Sequence, residues 1–427
     1  MDGIEVMSSG VESDCSRIVQ RYVRESETPG RSSVIGTDIA TSYHLAALAN
    51  GVAGHADDFD DTQFAQTSDR IYGLRTHPTM PALAATLAVS QEIGATGKEF
   101  LTAFCCVFEV ECKMAEAMNP DHYIKGFHTT STVGVFAAVA GAAKLYGLGP
   151  EQIRFALGIA ASKSAGLRVN FGTMTKPYHA GTAAENGVIA ARLARLEYQA
   201  DPNGLDGPWG YFQVAGGDCD PDRLLGRLGN PYTLIWPGVS VKPYPCGSLC
   251  HPSKDALLDL ITENDVKPEQ VEEVRLGVGP NILNPLRYQE TQNALEAKFS
   301  IQFCLAILVL RRKTRVQEFT DAVAQLQEVR DMMTRMKTYH SPEIEAKGSD
   351  RIRSLVEVKL RDGRTLTVEA ETSRGTPERP MSHEEMADKF AECAHTTIPQ
   401  EQVQATLEHI YHVEDLYSVS ALLEPFA

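Results

Sequence analysis

No stretch of about 18 apolar residues runs anywhere in the chain, which excludes a membrane-spanning helix. The opening residues, MDGIEVMSSGVESDCSR, lack the basic start and apolar middle of a secretory signal. There is no block of Lys and Arg, and the formal net charge is −16, so neither nucleic acid nor an anionic membrane is an expected partner. The nine cysteines are odd in number and scattered, several in apolar surroundings (Cys105, Cys106, Cys304). That usage fits reduced thiols and a cytoplasmic location better than a disulfide framework. The chain has no G-x-G-x-x-G, Walker A loop, G-x-S-x-G or H-E-x-x-H, and neither repeats nor low-complexity segments.

What remains is a globular chain that is 43% hydrophobic and long enough for two or three domains. From about residue 38 to 200 it is rich in Ala and Gly with helical periodicity. Thr96-Gly97-Lys98-Glu99 has the form of a capping box opening a helix from Phe100 to about Met118. Further helices are expected over Ser131–Leu145, Pro150–Ser162 and Thr182–Tyr198. Such small residues let helices approach closely, so the first half reads as an all-helical body.

The pattern changes near Pro237. Val271, Val274, Leu276 and Val278 suggest a strand. Val356, Val358, Leu360 and then Leu366, Val368, Ala370 alternate with polar neighbours on either side of Asp362-Gly363, a hairpin signature. Helices are expected at about 253–264, 296–311 and 317–337, and helix returns from Ser382 to about Leu423. The expected layout is an all-helical domain over 1–240, completed by about 395–427, with an α+β lid domain over 241–394.

Four polar constellations stand out. His55-Ala56-Asp57-Asp58-Phe59-Asp60-Asp61-Thr62 reads as a divalent-cation site, a solvated turn, or a carboxylate that orients a histidine. It lacks the Gly and distant Glu of a calcium loop. His77-Pro78 and His128-Thr129-Thr130 are lone histidines near helix starts; such residues are more often structural than catalytic. Phe171-Gly172-Thr173-Met174-Thr175-Lys176-Pro177 places one lysine on a Gly/Thr loop, either a local anion pocket or an ordinary turn. Cys246-Gly247-Ser248-Leu249-Cys250-His251 invites a zinc or nucleophile reading, but no second Cys/His pair follows at finger spacing.

Taken in order, these segments resemble the MmgE/PrpD family. The resemblance lies in Asn50-Gly51 through Asp58-Phe59-Asp60-Asp61-Thr62, His77-Pro78, Gly126-Phe127-His128-Thr129-Thr130-Ser131 and Phe171 to Lys176. It continues in Tyr244-Pro245-Cys246 with His251-Pro252 and in Ala297-Lys298-Phe299-Ser300, spanning roughly residues 30 to 425. It implies a mainly α fold: a large all-helical domain and a smaller α+β lid. It also implies a homodimer and a cleft active site without metal or organic cofactor. Carried over position by position, Asp58, His77, His128 and Lys176 are the expected catalytic residues, with Thr62 and His251 binding substrate. The implied substrate is a small di- or tricarboxylate, the reaction bond-making or bond-breaking beside a carboxylate. A lyase of the 2-methylcitrate dehydratase kind is the first expectation; cis-aconitate decarboxylation and iminodisuccinate epimerisation are the alternatives. A non-enzymatic dimeric scaffold and a metal-dependent hydrolase on Asp57–Asp61 are readings from other classes.

Three departures from the family pattern are expected to matter. The family's usual first helix is expected to be absent, an insertion is expected around Gln66 to Arg75, and Phe303 stands where some decarboxylating relatives carry a tyrosine.

Overall fold

In the computed structural model the described residues are 1–63, 76–118, 120–216, 219–348 and 351–426. The expected insertion around Gln66–Arg75 lies outside them. The chain opens with a helix over Asp2–Gly10, whose Ile4, Val6 and Met7 are buried in the main helical core.

Around it stand the helices Tyr43–Ala56, Thr79–Ile93, Gly97–Met118, Gly134–Tyr146 and Thr175–Arg195. The capping box holds as read: the Thr96 N–H donates to Glu99 Oε2 at 2.8 Å, and the Glu99 N–H to Thr96 Oγ1 at 3.3 Å. Alanine and glycine let these helices pack closely. A methyl group on Gly51 would lie 2.7 Å from Gly181 Cα, and one on Gly181 would lie 2.5 Å from the Leu48 carbonyl oxygen. The helices Tyr43–Ala56 and Thr175–Arg195 therefore touch backbone to backbone. That contact sets the site, because His55 lies one turn beyond Gly51, and Lys176 lies five residues before Gly181.

The lid holds a four-stranded sheet in the order Met336–His340, Val271–Val278, Ser354–Leu360, Thr365–Ala370. The first pair is parallel and the others antiparallel. The hairpin turns at Gly363, whose φ of 91° suits glycine, and pairs Val356 with Val368. Val356, Val358 and Leu360 face the lid core formed with the helices His251–Glu263 and Ile301–Arg311.

Several expectations need correction. The single helix expected at about 296–311 is split into Ala294–Ala297 and Ile301–Arg311. The helical stretch expected from Ser382 to about Leu423 is broken after Ala394 and again after Tyr411. The helix expected over 317–337 is broken into Asp321–Ala324 and Gln327–Met333, and the chain then becomes strand at Met336. Pairing with Val274–Val278 supplies the hydrogen bonds that make it a strand, and no local pattern announces that. The helix expected from Thr182 starts at Thr175, so Lys176 sits in its first turn rather than on a loop. Phe390, Cys393 and Ala394 of the helix His383–Ala394 are buried in the helical core. Among the described residues, no helix is long and apolar enough to cross a membrane.

Candidate active site

The helix Tyr43–Ala56 ends at Asp57, and Asp58 then adopts φ 53°, a left-handed conformation that aspartate tolerates better than most residues. This reversal sends consecutive carboxylates apart. Asp57 meets Lys298 Nζ at 3.0 Å and the Ser9 hydroxyl at 2.6 Å. Asp58 turns into a cavity of about 50 Å³ at the contact of the helical body with the lid. Asp60 folds back beneath His55 and His77, and Asp61 accepts from the Thr79 hydroxyl at 2.8 Å. The four carboxylates of the dense acidic string thus face separate partners instead of converging on one cation.

Five of the six expected site residues line the cavity: Asp58, Thr62, His77, His128 and Lys176. Lys176 donates to Asp58 Oδ1 at 2.6 Å, and its Nζ is 2.9 Å from His55 Nε2. His55 Nδ1 lies 2.8 Å from Asp60 Oδ2, which is also 3.2 Å from His77 Nδ1. The result is a buried chain Lys176–His55–Asp60–His77 that begins and ends at the cavity wall. Thr62 is fixed by reciprocal backbone hydrogen bonds with Ser240 at 2.8 and 2.9 Å, which places Lys242 beside Asp58. Lys242 was not singled out in the sequence. Its Nζ is 3.0 Å from Asp58 Oδ1 and donates to the Asp58 carbonyl at 2.7 Å.

His251 does not line the cavity. It lies buried behind the wall, with Nε2 3.1 Å from the Cys246 carbonyl oxygen and its ring edge-on to Tyr244. Phe303 is also remote: it is buried in the lid core against Phe319. The aromatic residues at the cavity are instead Tyr123, Phe171 and Phe299, the last two with ring centroids 5.5 Å apart. Gly172, at φ 85°, lets its loop press on Tyr288, whose hydroxyl donates to the Phe171 carbonyl at 3.0 Å.

Burial governs the charges. It pulls the Lys176 ammonium below the usual lysine range, opposed chiefly by Asp58. It also pushes His55 down to about 3, partly offset by Asp60. His77 is lowered, and His128 falls well below the ordinary histidine range, burial being the first cause in each. Burial would raise Asp58, but Lys176 and Lys242 together outweigh it and hold the carboxyl below its usual range. At neutral pH the site therefore holds neutral imidazoles beside paired ions.

At the cavity wall, the buried Asp58 Oδ2, His77 Nδ1 and His128 Nε2 make no hydrogen bond to any of the described residues. His128 Nδ1 is 3.0 Å from His179 Nδ1, a second residue the sequence did not flag. Buried polar atoms are rarely left unpaired except where a ligand or water completes them.

The MmgE/PrpD N-terminal domain model matches residues 1–224, and the MmgE/PrpD C-terminal domain model matches residues 244–413. The chain belongs to the MmgE/PrpD family. It is similar along its length to the cis-aconitate decarboxylase of Homo sapiens, 28% identical over 423 residues that cover 97% of this chain and 85% of that protein. The corresponding enzyme of Mus musculus is 27% identical, with 99% and 86% covered. That of Aspergillus terreus is 23% identical, with 99% and 89% covered.

As for metals, His55, Asp60 and His77 bring ligand atoms within 4.8 Å of one another. Those atoms are engaged with each other: both Nδ1 atoms face Asp60, and His55 Nε2 faces an ammonium group. The donor set, joined by the His55–Asp60 hydrogen bond and the close approach of His77 to Asp60, fits a charge-coupled chain better than a cation site.

Proposed function

We propose that this chain is a cofactor-independent lyase that decarboxylates a small unsaturated tricarboxylate of the cis-aconitate kind. The observation that carries the reading is the pair of buried lysines gripping Asp58 at a cavity where Asp58 Oδ2 and His128 Nε2 make no hydrogen bond to the described residues. The choice of decarboxylation over dehydration is supported by the cis-aconitate decarboxylases to which the whole chain is similar. Phe303, the residue that spoke against it, packs away from the cavity and removes no hydroxyl from its wall.

In this reading Lys176 and Lys242 receive carboxylates of the substrate. One carboxylate leaves as carbon dioxide, and its electron pair passes into the carbon framework, spreading onto a neighbouring carboxylate. Preorganised ammonium and imidazole donors stabilise that charge in a site shielded from water. A proton then reaches carbon from His77 or Lys176, which the His55–Asp60 relay connects. The homodimer implied by the family resemblance is part of the proposal and is checked by light scattering.

The test is incubation with cis-aconitate, 2-methylcitrate and iminodisuccinate in heavy water, followed by proton NMR and carbon dioxide release. Release of carbon dioxide from cis-aconitate, with one solvent deuteron in the product, is the expected outcome. Water loss from 2-methylcitrate without it would move the chain to dehydration. Deuterium exchange in iminodisuccinate alone would mark an epimerase. No reaction with any of the three would favour a scaffold.

A further inference from the structure

Behind the wall of the same cavity lies a cluster that the proposed chemistry does not use. Cys246, Cys250 and Cys304 are buried free thiols whose sulfurs lie within 4.8 Å of one another. Cys246 Sγ and Cys250 Sγ are 3.8 Å apart. The three residues between them, Gly247, Ser248 and Leu249, line the cavity, so the pair sits directly behind its surface. Only those three residues intervene in sequence between the two thiols, so their backbone is shared with the cavity wall.

The cluster also contains a buried cation with an unusual partner. Lys254 is fully buried, and its Nζ lies 3.4 Å from Cys246 Sγ and 3.9 Å from the centre of the Tyr244 ring. Among the described residues, no carboxylate forms an ion pair with it. A buried ammonium needs a compensating anion, and the group positioned to supply one is the Cys246 sulfur. A metal ion held jointly with His251 is not needed to account for the cluster: His251 Nε2 is 3.6 Å from the same sulfur but engaged with the Cys246 carbonyl. Burial alone would push the Cys246 thiol up. Hydrogen bonds from Cys250 and Cys304, with the nearby Lys254, reverse that and hold it well below the usual thiol range.

We propose that Cys246 and Cys250 are a peroxide-reactive thiol pair, Cys246 attacking and Cys250 resolving, whose disulfide shuts down the adjacent cavity. The Cys246 thiolate attacks one oxygen of a hydroperoxide. The O–O bond breaks, Cys246 becomes a sulfenic acid, and the departing alkoxide or hydroxide takes up a proton. Cys250 then attacks the Cys246 sulfur, the S–O bond breaks, and the hydroxide leaves as water with the Cys250 proton. Two thiols and one peroxide give one disulfide, one alcohol or water, and one water. The two electrons come from the sulfurs.

Closing the bond requires the sulfurs to approach from 3.8 Å to about 2.05 Å. Cys246 is tied to the site, because its carbonyl accepts from Lys242 Nζ at 3.3 Å. Displacing it loosens the ammonium that holds Asp58. This effect on turnover rests on the decarboxylase reading, whereas formation of the disulfide does not.

The experiment treats the full chain with hydrogen peroxide at neutral pH, alkylates the remaining thiols and maps the peptides by mass spectrometry. The expected result is a Cys246–Cys250 disulfide, two hydrogens lighter and reversed by dithiothreitol, with turnover lost and regained in step. Cys250→Ala should keep its turnover when reduced and stop at oxidised Cys246 without a disulfide. Lys254→Met should slow the oxidation by roughly tenfold or more. The proposal is overturned if Cys246 and Cys250 stay fully alkylatable under peroxide that oxidises Cys105. A soft metal ion purifying with the chain and masking both thiols would also overturn it, assigning the cluster to metal binding. A disulfide that leaves turnover unchanged would overturn the control of the cavity.

Discussion

Lys176 Nζ lies 2.6 Å from Asp58 Oδ1, with both side chains almost completely shielded from solvent. A pair so buried is kept only where its geometry is tightly held, since desolvation opposes it. Here the same carboxylate is shared with Lys242, and the same ammonium with His55. Charge and proton-carrying capacity are thereby stored at one wall of the cavity.

Removing that ammonium should cost activity before it costs fold. Lys176→Ala and His77→Ala should each lower kcat/KM by roughly 10²–10⁴-fold, the range for losing a proton carrier or charge stabiliser. Lys242→Ala should fall in the same range. Lys176→Arg discriminates between roles, because guanidinium keeps the charge but cannot shed a proton near neutrality. Partial activity in Lys176→Arg would make the residue a carboxylate binder; loss equal to Lys176→Ala would make it a proton carrier. Steady-state kinetics on folded variants decides.

Binding of a polycarboxylate should draw protons into the site. His77 and His128 are held below the ordinary histidine range, chiefly by burial, and are neutral at pH 7. An incoming anion favours their protonated forms and raises both values. Calorimetric titration with a non-reacting tricarboxylate, in buffers of different ionisation enthalpy, should show net proton uptake between about pH 6 and 8. Its absence would leave the histidines as neutral hydrogen-bond donors.

Separating the two central helices should dismantle the relay. Gly181→Ala puts a methyl group 2.5 Å from the Leu48 carbonyl oxygen, against backbone that has no room to yield. The expected cost is about 1–3 kcal/mol of stability, the usual penalty for overpacking. Turnover should also fall, since His55 and Lys176 ride on the two helices being pushed apart. Denaturant unfolding together with kcat checks this; unchanged kcat in a destabilised variant would detach the relay from catalysis.

Stability should decline from acidic towards alkaline pH because of Glu5. This carboxyl is fully buried beside Lys389, at 3.4 Å, and burial pushes it up to about 8. The folded state keeps the proton while the unfolded state loses it near 4.5. The contribution is therefore fully present below about pH 4.5 and is lost as pH rises through about 8. Glu5→Gln cannot ionise, so its melting temperature relative to the parent should rise between pH 5 and 8. A constant difference across that range would refute the assignment.

Much of this protein was legible one segment at a time. The Ala/Gly helices, the Thr96–Glu99 cap and the Asp362-Gly363 hairpin follow from local periodicity and turn chemistry, which need no distant partner. The ordered landmarks from Asp58 to Ser300 carried the family, and five of the six residues taken from them meet at one cavity. Contacts between distant segments decided the rest. Met336–His340 is a strand because Val274–Val278 offers it a ladder. Lys242 enters the site because Ser240 pairs with Thr62, and Cys304 joins Cys246 and Cys250 from a distant stretch of chain. His251 left the cavity for the opposite side of its wall. Such placements depend on which backbones approach closely, as Gly51 and Gly181 do. Sequence spacing encodes what a residue can do, and only packing determines which partner it meets.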